Sequence, residues 1–400
     1  MTLTIEPTVK HVDPQAVIAQ ETSAQLNTYA KLPIVAVRGA GIMLYDAEGK
    51  AYYDFYCGHA VTLLGHCPPR VTAAIQEQAQ RLIFYSNIVY NDVRAAYAAK
   101  LVEVAPQGYG QVFFCNSGAE ANETALKISR KFTGRPTIIA MEGAFHGRTM
   151  GALAMTANPK YKEGFEPLLP GVQFIPFGDL DALSKAMNEE VAAVILEPIQ
   201  SIAGVRTAEP EYYPGVRELC DQWGSLLIFD EIQTGLGRTG KLWAGEHWDV
   251  VPDIITLAKG IASGVPMGAT LVASRLAQTV KMDEHGSTFG GGPLACAAAS
   301  ATLDTILEED LINHAAAMGA LLKENIGKLP HVQEMRGIGL LLGVKLDVPG
   351  KMVQMSALEQ GIILGTSGDP SVLRLMPPMT VTTSDVEHLT DVLGSVLENM

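Results

Sequence analysis

Basic residues are in the minority: 29 Lys and Arg stand against 43 Asp and Glu, for a formal net charge of −14. So acidic a chain has little with which to compete for a phosphate backbone, which argues against nucleic-acid binding and for solubility. Cysteine is scarce too. The five, at positions 57, 67, 115, 220 and 296, form no Cys-x-x-Cys pair. Neither a metal site nor a disulfide framework is expected from them. No apolar run reaches membrane-spanning length, so no membrane is expected as a partner. Residues 1–15 carry charges and prolines without an apolar centre, so no secretory signal is expected there. These shortages point to a cytoplasmic protein. Internal repeats and low-complexity segments are also missing.

What the chain does have is apolar mass, nearly half of its residues, and 39 glycines spread throughout. At 400 residues it is too long for one simple core, so two domains are expected. Loose amphipathic spacing over residues 11–30 predicts a short helix. Leu32–Val37, Gly41–Asp46 and Ala51–Phe55 read as strands separated by glycine and an Asp46-Ala47-Glu48-Gly49 turn. Val71, Ala74, Ile75 and Ala79 lie at helical spacing, and Asn91 is placed to cap a further helix running to Val102.

From about 110 to 290 candidate strands alternate with helices. They are Gln111–Cys115, Thr137–Met141, Val172–Ile175, Val191–Glu197, Ser225–Asp230, Ile254–Leu257 and Ala269–Val272. Such alternation predicts an α/β fold with a mostly parallel central sheet and helices on both faces. Ligands bind such sheets beyond the strand C-termini, where Asn116, Glu197, Asp230 and Lys259 fall. After Leu303 the chain reads as helix to about Leu329, then as strands over Gly337–Leu346 and Val372–Met376. Ser384 with Glu387 reads as a capping box opening a last amphipathic helix. The expected division is an N-terminal segment 1–65, a large domain 66–303 and a C-terminal part 304–400. The two outer pieces form a smaller α+β domain.

Three pieces of chemistry stand out. Lys259 ends an apolar run and is followed by small residues; burial there disfavours its ammonium form and leaves a usable nucleophile. Asp230 ends another apolar run. Ser117-Gly118-Ala119 joins a strand to a helix, so unpaired amides and a positive dipole end would face a phosphate. A Schiff-base lysine, a carboxylate for a pyridinium nitrogen and a phosphate cradle are the parts a pyridoxal-phosphate site needs. Arg374, between Leu373 and Leu375, reads as partly buried and in need of an anion. Gly235 to Lys241 matches most of a nucleotide-binding P-loop, but Leu242 stands where a hydroxyl must bind magnesium, and the match is set aside.

Phe114–Asn122, Phe145–Thr149, Glu197–Gln200, Phe229–Gly235, Leu257–Gly260 and Ser287–Gly291, taken in order, resemble the class III aminotransferases. Within them the acetylornithine and ornithine aminotransferases are most similar, from about residue 30 onward. The resemblance implies fold type I of the pyridoxal-phosphate enzymes and a homodimer with shared sites. It implies that Lys259 carries the cofactor and shuttles the proton, with Asp230 on the ring nitrogen and Gln233 near the phenolic oxygen. Ser117, Gly118 and Ala119 would hold the phosphate, Phe145 would stack on the ring, and Thr288 would reach the partner subunit's phosphate. Arg148, Ser287, Tyr29 and Arg374 would contact substrate, Arg374 through the α-carboxylate of glutamate. The implied reaction moves an amino group from an ω-amino donor to 2-oxoglutarate.

One departure stands out. Where the family usually reads Gln-Gly-Glu-Gly-Gly or a near variant, this chain reads Gln200-Ser201-Ile202-Ala203-Gly204. The missing glutamate would mask Arg374, so Arg374 is expected to stay open throughout. That keeps alternatives in view: a racemase or epimerase, another donor, or pyruvate as acceptor. A binding protein with a dead site is a further alternative, disfavoured by the intact Lys259, Asp230 and Thr288.

Overall fold

The computed structural model describes residues 12–400; the first eleven residues of the expected N-terminal segment lie outside the described part. The predicted first helix forms as Pro14–Ala24, capped by Asp13, whose side chain accepts from the Gln15 amide. Strands β1 (Ala36–Ala40), β2 (Met43–Asp46) and β3 (Ala51–Asp54) follow as an antiparallel ladder. The first of them starts four residues later than expected. Pro33 offers no amide for a ladder, and Ile34 N–H turns back to the Leu32 carbonyl at 2.8 Å, a tight turn in place of a strand.

Helices Pro69–Arg81 and Asp92–Glu103 come next, the second capped by Asn91 accepting from the Arg94 amide. The central sheet is then built from β4 (Tyr109–Cys115), β5 (Thr137–Met141), β6 (Val172–Ile175), β7 (Val191–Leu196), β8 (Leu226–Asp230), β9 (Ile254–Leu257) and β10 (Gly268–Ala273). Their order is β4-β10-β9-β8-β7-β5-β6. Strand β10 runs antiparallel to both its neighbours, and the pairs from β9 to β6 are parallel. Strands β7, β8 and β9 are buried along their whole lengths, as expected of strands covered on both faces. Helix Gly118–Thr133 crosses one face. It is tied to β10 by Thr270 Oγ1 donating to the Ala121 carbonyl (2.9 Å) and to β9 by Thr256 Oγ1 donating to Asn122 Oδ1 (2.8 Å).

Helices Pro293–Glu308 and Leu311–Ile326 lead to the C-terminal part. Residue 303, the expected end of the large domain, lies inside the first of these. Instead of one strand over Gly337–Leu346 there is a hairpin, β11 (Val332–Ile338) and β12 (Leu341–Leu346). Gly337 (φ 87°) and Gly339 (φ 57°) take left-handed conformations at the reversal, which glycine adopts without steric cost. Short strands β13 (Ile362–Ile363) and β14 (Gly365–Thr366) precede β15 (Val372–Leu375). Strand β13 pairs in parallel with β3, so the N-terminal ladder and the C-terminal part share one sheet. The last helix, Thr383–Glu398, is capped two residues earlier than expected. Thr382 and Asp385 bond reciprocally, leaving Ser384 inside the first turn.

The P-loop look-alike is no phosphate cradle. Arg238 at its centre is buried and donates to the Leu340 and Pro377 carbonyls, stapling the loop to the C-terminal part. Among the described residues no helix is long and apolar enough to cross a membrane, and no cluster of His, Cys, Asp and Glu could hold a metal ion.

Candidate active site

Strands β8 and β9 are paired so that Asp230 lies opposite Thr256. Asp230 therefore closes one strand at the sheet edge where the next delivers Lys259. The backbone makes a sharp corner at the lysine: Ala258 is extended, Lys259 takes φ 49°, and a short turn over Lys259–Ala262 follows. A non-glycine residue in the left-handed region costs roughly 1–2 kcal/mol, and the cost is met where a side chain must be aimed.

Lys259 projects into a cavity of about 350 Å³. Ser117, Gly118, Ala119, Phe145, Asp230 and Gln233 line the same cavity. Lys259 keeps some solvent contact through the opening, but enough protein surrounds it that burial pulls its amine down to about 8. Asp230 and Glu197 act in the opposite direction, favouring the ammonium, and the positive charge of Arg374 adds to the lowering.

The cavity floor is a polar network in an otherwise apolar setting. Asp230 is 3% exposed. Its Oδ2 accepts from Asn122 Nδ2 at 2.8 Å and faces His146 Nδ1 at 2.7 Å; its Oδ1 accepts from the Ile232 amide at 3.1 Å. Asn122 also donates to the His146 carbonyl. The carboxylate is thus fixed by three elements before any ligand arrives. Glu197, just past β7, accepts from the Phe145 amide at 2.9 Å and pins the loop that carries the aromatic ring. Burial pushes the Glu197 carboxyl up to about 7.

At the other end stands the N-terminus of helix Gly118–Thr133. Ser117 caps it through the Glu120 amide, while the first-turn amides of Gly118 and Ala119 have no carbonyl a turn behind them. Gly147 (φ 140°) lets the Phe145 loop come down onto this turn; a Cβ there would sit 2.7 Å from the Ala119 Cβ.

Two buried polar atoms in this wall have no partner, His146 Nε2 and Gln233 Oε1. Buried groups left unpaired are costly and mark a place where a ligand completes the bonding. A fixed carboxylate, a low-pKa amine, a ring face, free helix amides and unpaired polar atoms fit a phosphorylated pyridine aldehyde.

The substrate residues read from the sequence are more dispersed. Arg148 lies over the Tyr161 ring at 3.9 Å and near that of Phe145 at 5.2 Å. Arg374 is 3% exposed on β15. Tyr29 is exposed and lines a separate groove of about 910 Å³ that also includes Tyr56. Ser287 accepts from Asn116 Nδ2 at 3.1 Å and borders a neighbouring cavity of about 490 Å³. Thr288 is exposed and outside the lysine cavity.

The structure adds residues with no role assigned from sequence: Asn122, His146, Tyr56, His59 and Ser201. Asn122 lies one helical turn past Gly118, a spacing that puts both on one side of the helix. His146 follows Phe145 in a motif already singled out. Tyr56 and Ser201 bond to Arg374, but from segments so far away in sequence that no local pattern signals the contact.

The model of the family described as aminotransferase class-III matches residues 24–397. The acetylornithine aminotransferase of Methanopyrus kandleri is 46% identical over 93% of this chain and 96% of its own length. That of Methanocaldococcus jannaschii is 42% identical over 94% and 96%. The ornithine aminotransferase of Toxoplasma gondii superposes with a TM-score of 0.92 at 35% identity, covering 98% of this chain and 95% of that one. That structure shows partial occupancy of PLP at its active site. An (S)-enantioselective omega-transaminase from Thermomicrobium roseum gives 0.91 at 32% identity, covering 98% and 99%.

Proposed function

The chain belongs to the class III aminotransferases and is a pyridoxal-phosphate-dependent transaminase of amino and keto acids; on that premise we propose that it takes an amino group from an acetylornithine-like ω-amino donor and passes it to 2-oxoglutarate. The observation that carries this reading is Lys259 and Asp230 on the wall of one cavity, at the ends of adjacent parallel strands. The relatives are transaminases, so racemisation is not favoured.

When bound, pyridoxal phosphate supplies a carbonyl carbon for the amine and a ring that spreads the charge left on a deprotonated substrate carbon. The chain's own residues do the rest. Asp230, held by Asn122, His146 and the Ile232 amide, keeps a proton on the ring nitrogen. The free Gly118 and Ala119 amides, at the helix start that Ser117 caps through the Glu120 amide, would hold the phosphate. Phe145 would cover a ring face, and Gln233, whose side-chain amide N–H can donate, would lie beside the ring's phenolic oxygen. Lys259 would take the proton from the amine-bearing carbon of the substrate and return it to the carbon on the other side of that nitrogen. With a pKa of about 8, roughly a tenth of the lysine is neutral at pH 7, against far less for a free lysine. Arg148 would receive the single carboxylate of the ω-amino donor, and Arg148 with Arg374 the two carboxylates of glutamate or 2-oxoglutarate; Tyr29 and Ser287 would reach the substrate from the groove and cavity that border the site.

A homodimer completes the proposal. Leu82, Ile83, Phe84, Tyr85, Ile88, Val89 and Tyr90 are exposed in one short stretch, and Phe84 meets the exposed Phe289 beside Thr288. An apolar surface of that kind suits a second copy, which would bring Thr288 to the partner's phosphate. Sedimentation should give twice the chain mass; a monomer at micromolar concentration would remove this part of the proposal. The chemistry suits a cytoplasmic setting.

Mixing the yellow holoenzyme with N-acetylornithine should bleach its visible absorbance, and adding 2-oxoglutarate should restore it. No change with any ω-amino acid would end the donor assignment. A second expectation concerns pH. Uptake of cofactor by the cofactor-free protein needs the neutral amine, so its rate should climb about tenfold per pH unit below 8 and level off above it. Stopped-flow absorbance checks this; a midpoint near 10 would mean that the lysine is not held as the cavity implies.

A further inference from the structure

Arg374 is a buried cation whose partners are all uncharged. Its Nε donates to the Thr366 carbonyl at 2.7 Å, Nη1 to Ser201 Oγ at 3.1 Å and Nη2 to Tyr56 Oη at 2.6 Å. Among the described residues no carboxylate bonds to it. The Tyr56 hydroxyl is in turn 2.6 Å from His59 Nδ1. Burial, with the charges of Arg374 and Lys259, drives His59 down to about 3, so it is neutral and can accept the phenol's proton. Burial also raises the Tyr56 phenol, which stays un-ionised.

This arrangement is built at a conformational cost. Cys57, Gly58, His59 and Ala60 all have φ between 50° and 74°, a single left-handed turn containing three residues with side chains. Its entrance is held by Asp54, whose Oδ1 accepts from the Tyr56 and Cys57 amides at 2.9 and 2.8 Å. Asp54 Oδ2 meets His66 Nε2 at 3.0 Å. Non-glycine residues persist in that region only where surrounding structure over-determines them. Here the turn sets His59 behind Tyr56 and Tyr56 against Arg374.

We propose that Tyr56, backed by His59, and Ser201 form an uncharged cradle that keeps Arg374 aimed and hydrogen-bonded whether or not a carboxylate is present. An anionic partner would have to leave before a substrate carboxylate could bind; a hydroxyl pair need not. The cradle satisfies the guanidinium while an ω-amino donor occupies the site, and leaves its charge uncancelled for the carboxylate of an α-amino or 2-oxo acid. α-Amino acids are then donors in their own right, and the balance between α- and ω-amino substrates is set by positioning residues far from Arg374 in sequence. This rests on the transaminase reading above for its substrates, but not for its binding test.

The test titrates holoenzyme with glutarate, a dicarboxylate that cannot react, by calorimetry. In Tyr56→Phe the affinity should fall about tenfold, and in Ser201→Ala about threefold. In steady state Tyr56→Phe should raise KM for glutamate about tenfold with kcat nearly unchanged, and leave KM for N-acetylornithine where it was. Unchanged glutarate affinity in both variants would overturn the cradle. So would equal losses on both donors, since a purely structural residue would affect both alike. If N-acetylornithine proves not to be a donor at all, the proposed function fails while the glutarate titration still judges the cradle.

Discussion

Lys259→Ala should lower kcat/KM at least about ten-thousandfold, roughly 5.5 kcal/mol at the barrier. A positioned acid–base group accounts for about a hundred- to ten-thousandfold, and loss of the amine that would hold the cofactor carbon adds to it. The same substitution should make the cofactor-free protein more stable at neutral pH. The lysine's pKa falls from 10.5 in the unfolded chain to about 8 in the fold. Between those values the unfolded chain binds more protons, so stability rises with pH from about 8 to 10.5. Below pH 8 the full cost of the buried ammonium is present. Alanine removes it, for a gain of about 1–3 kcal/mol at pH 7 that shrinks to nothing above pH 10. Calorimetric melting of both proteins at pH 7 and pH 10 reads this directly. A variant that loses activity without gaining stability at pH 7 would show that the amine is solvated.

Asp230→Ala should cost about a thousandfold in kcat, roughly 4 kcal/mol. The carboxylate is fixed in the cavity floor, where it would hold a proton on the ring nitrogen of a bound cofactor. The side chain also organises Asn122 and His146, so a loss could come from the network alone. Asn122→Ala separates the two. It removes one hydrogen bond to the carboxylate but leaves the charge, and should cost about tenfold or less. Equal losses in the two variants would assign the effect to the network and not to the charge.

Strands Thr137–Met141 and Ile254–Leu257 fall where apolar, β-branched runs place them, because a strand covered on both faces needs an unbroken run with clear ends. The hairpin at Gly339 reads in sequence as one strand because glycine permits a reversal without announcing one. The last helix is capped two residues before its apparent cap because Asp385 closes the box as well as a glutamate would. In the site, Lys259, Asp230, Phe145 and the Ser117 turn were legible as positions because each sits at a strand end within a short motif. The surroundings of Arg374 were not. Tyr56 and Ser201 come to it through tertiary packing, and no periodicity encodes a partner on another sheet.

The late arrival of Arg374 has a consequence for how the molecule is made. On a ribosome, the central sheet, with the lysine and the aspartate, is complete long before residue 374 emerges. Strand β3 meanwhile waits with an open edge for β13, and Tyr56 waits for its guanidinium. A nascent chain halted after the central sheet would carry Lys259, Asp230 and Arg148 but not the second arginine. The choice that rests on Arg374 is the last property this polypeptide acquires, and distant pairings of that kind are the slow ones to form.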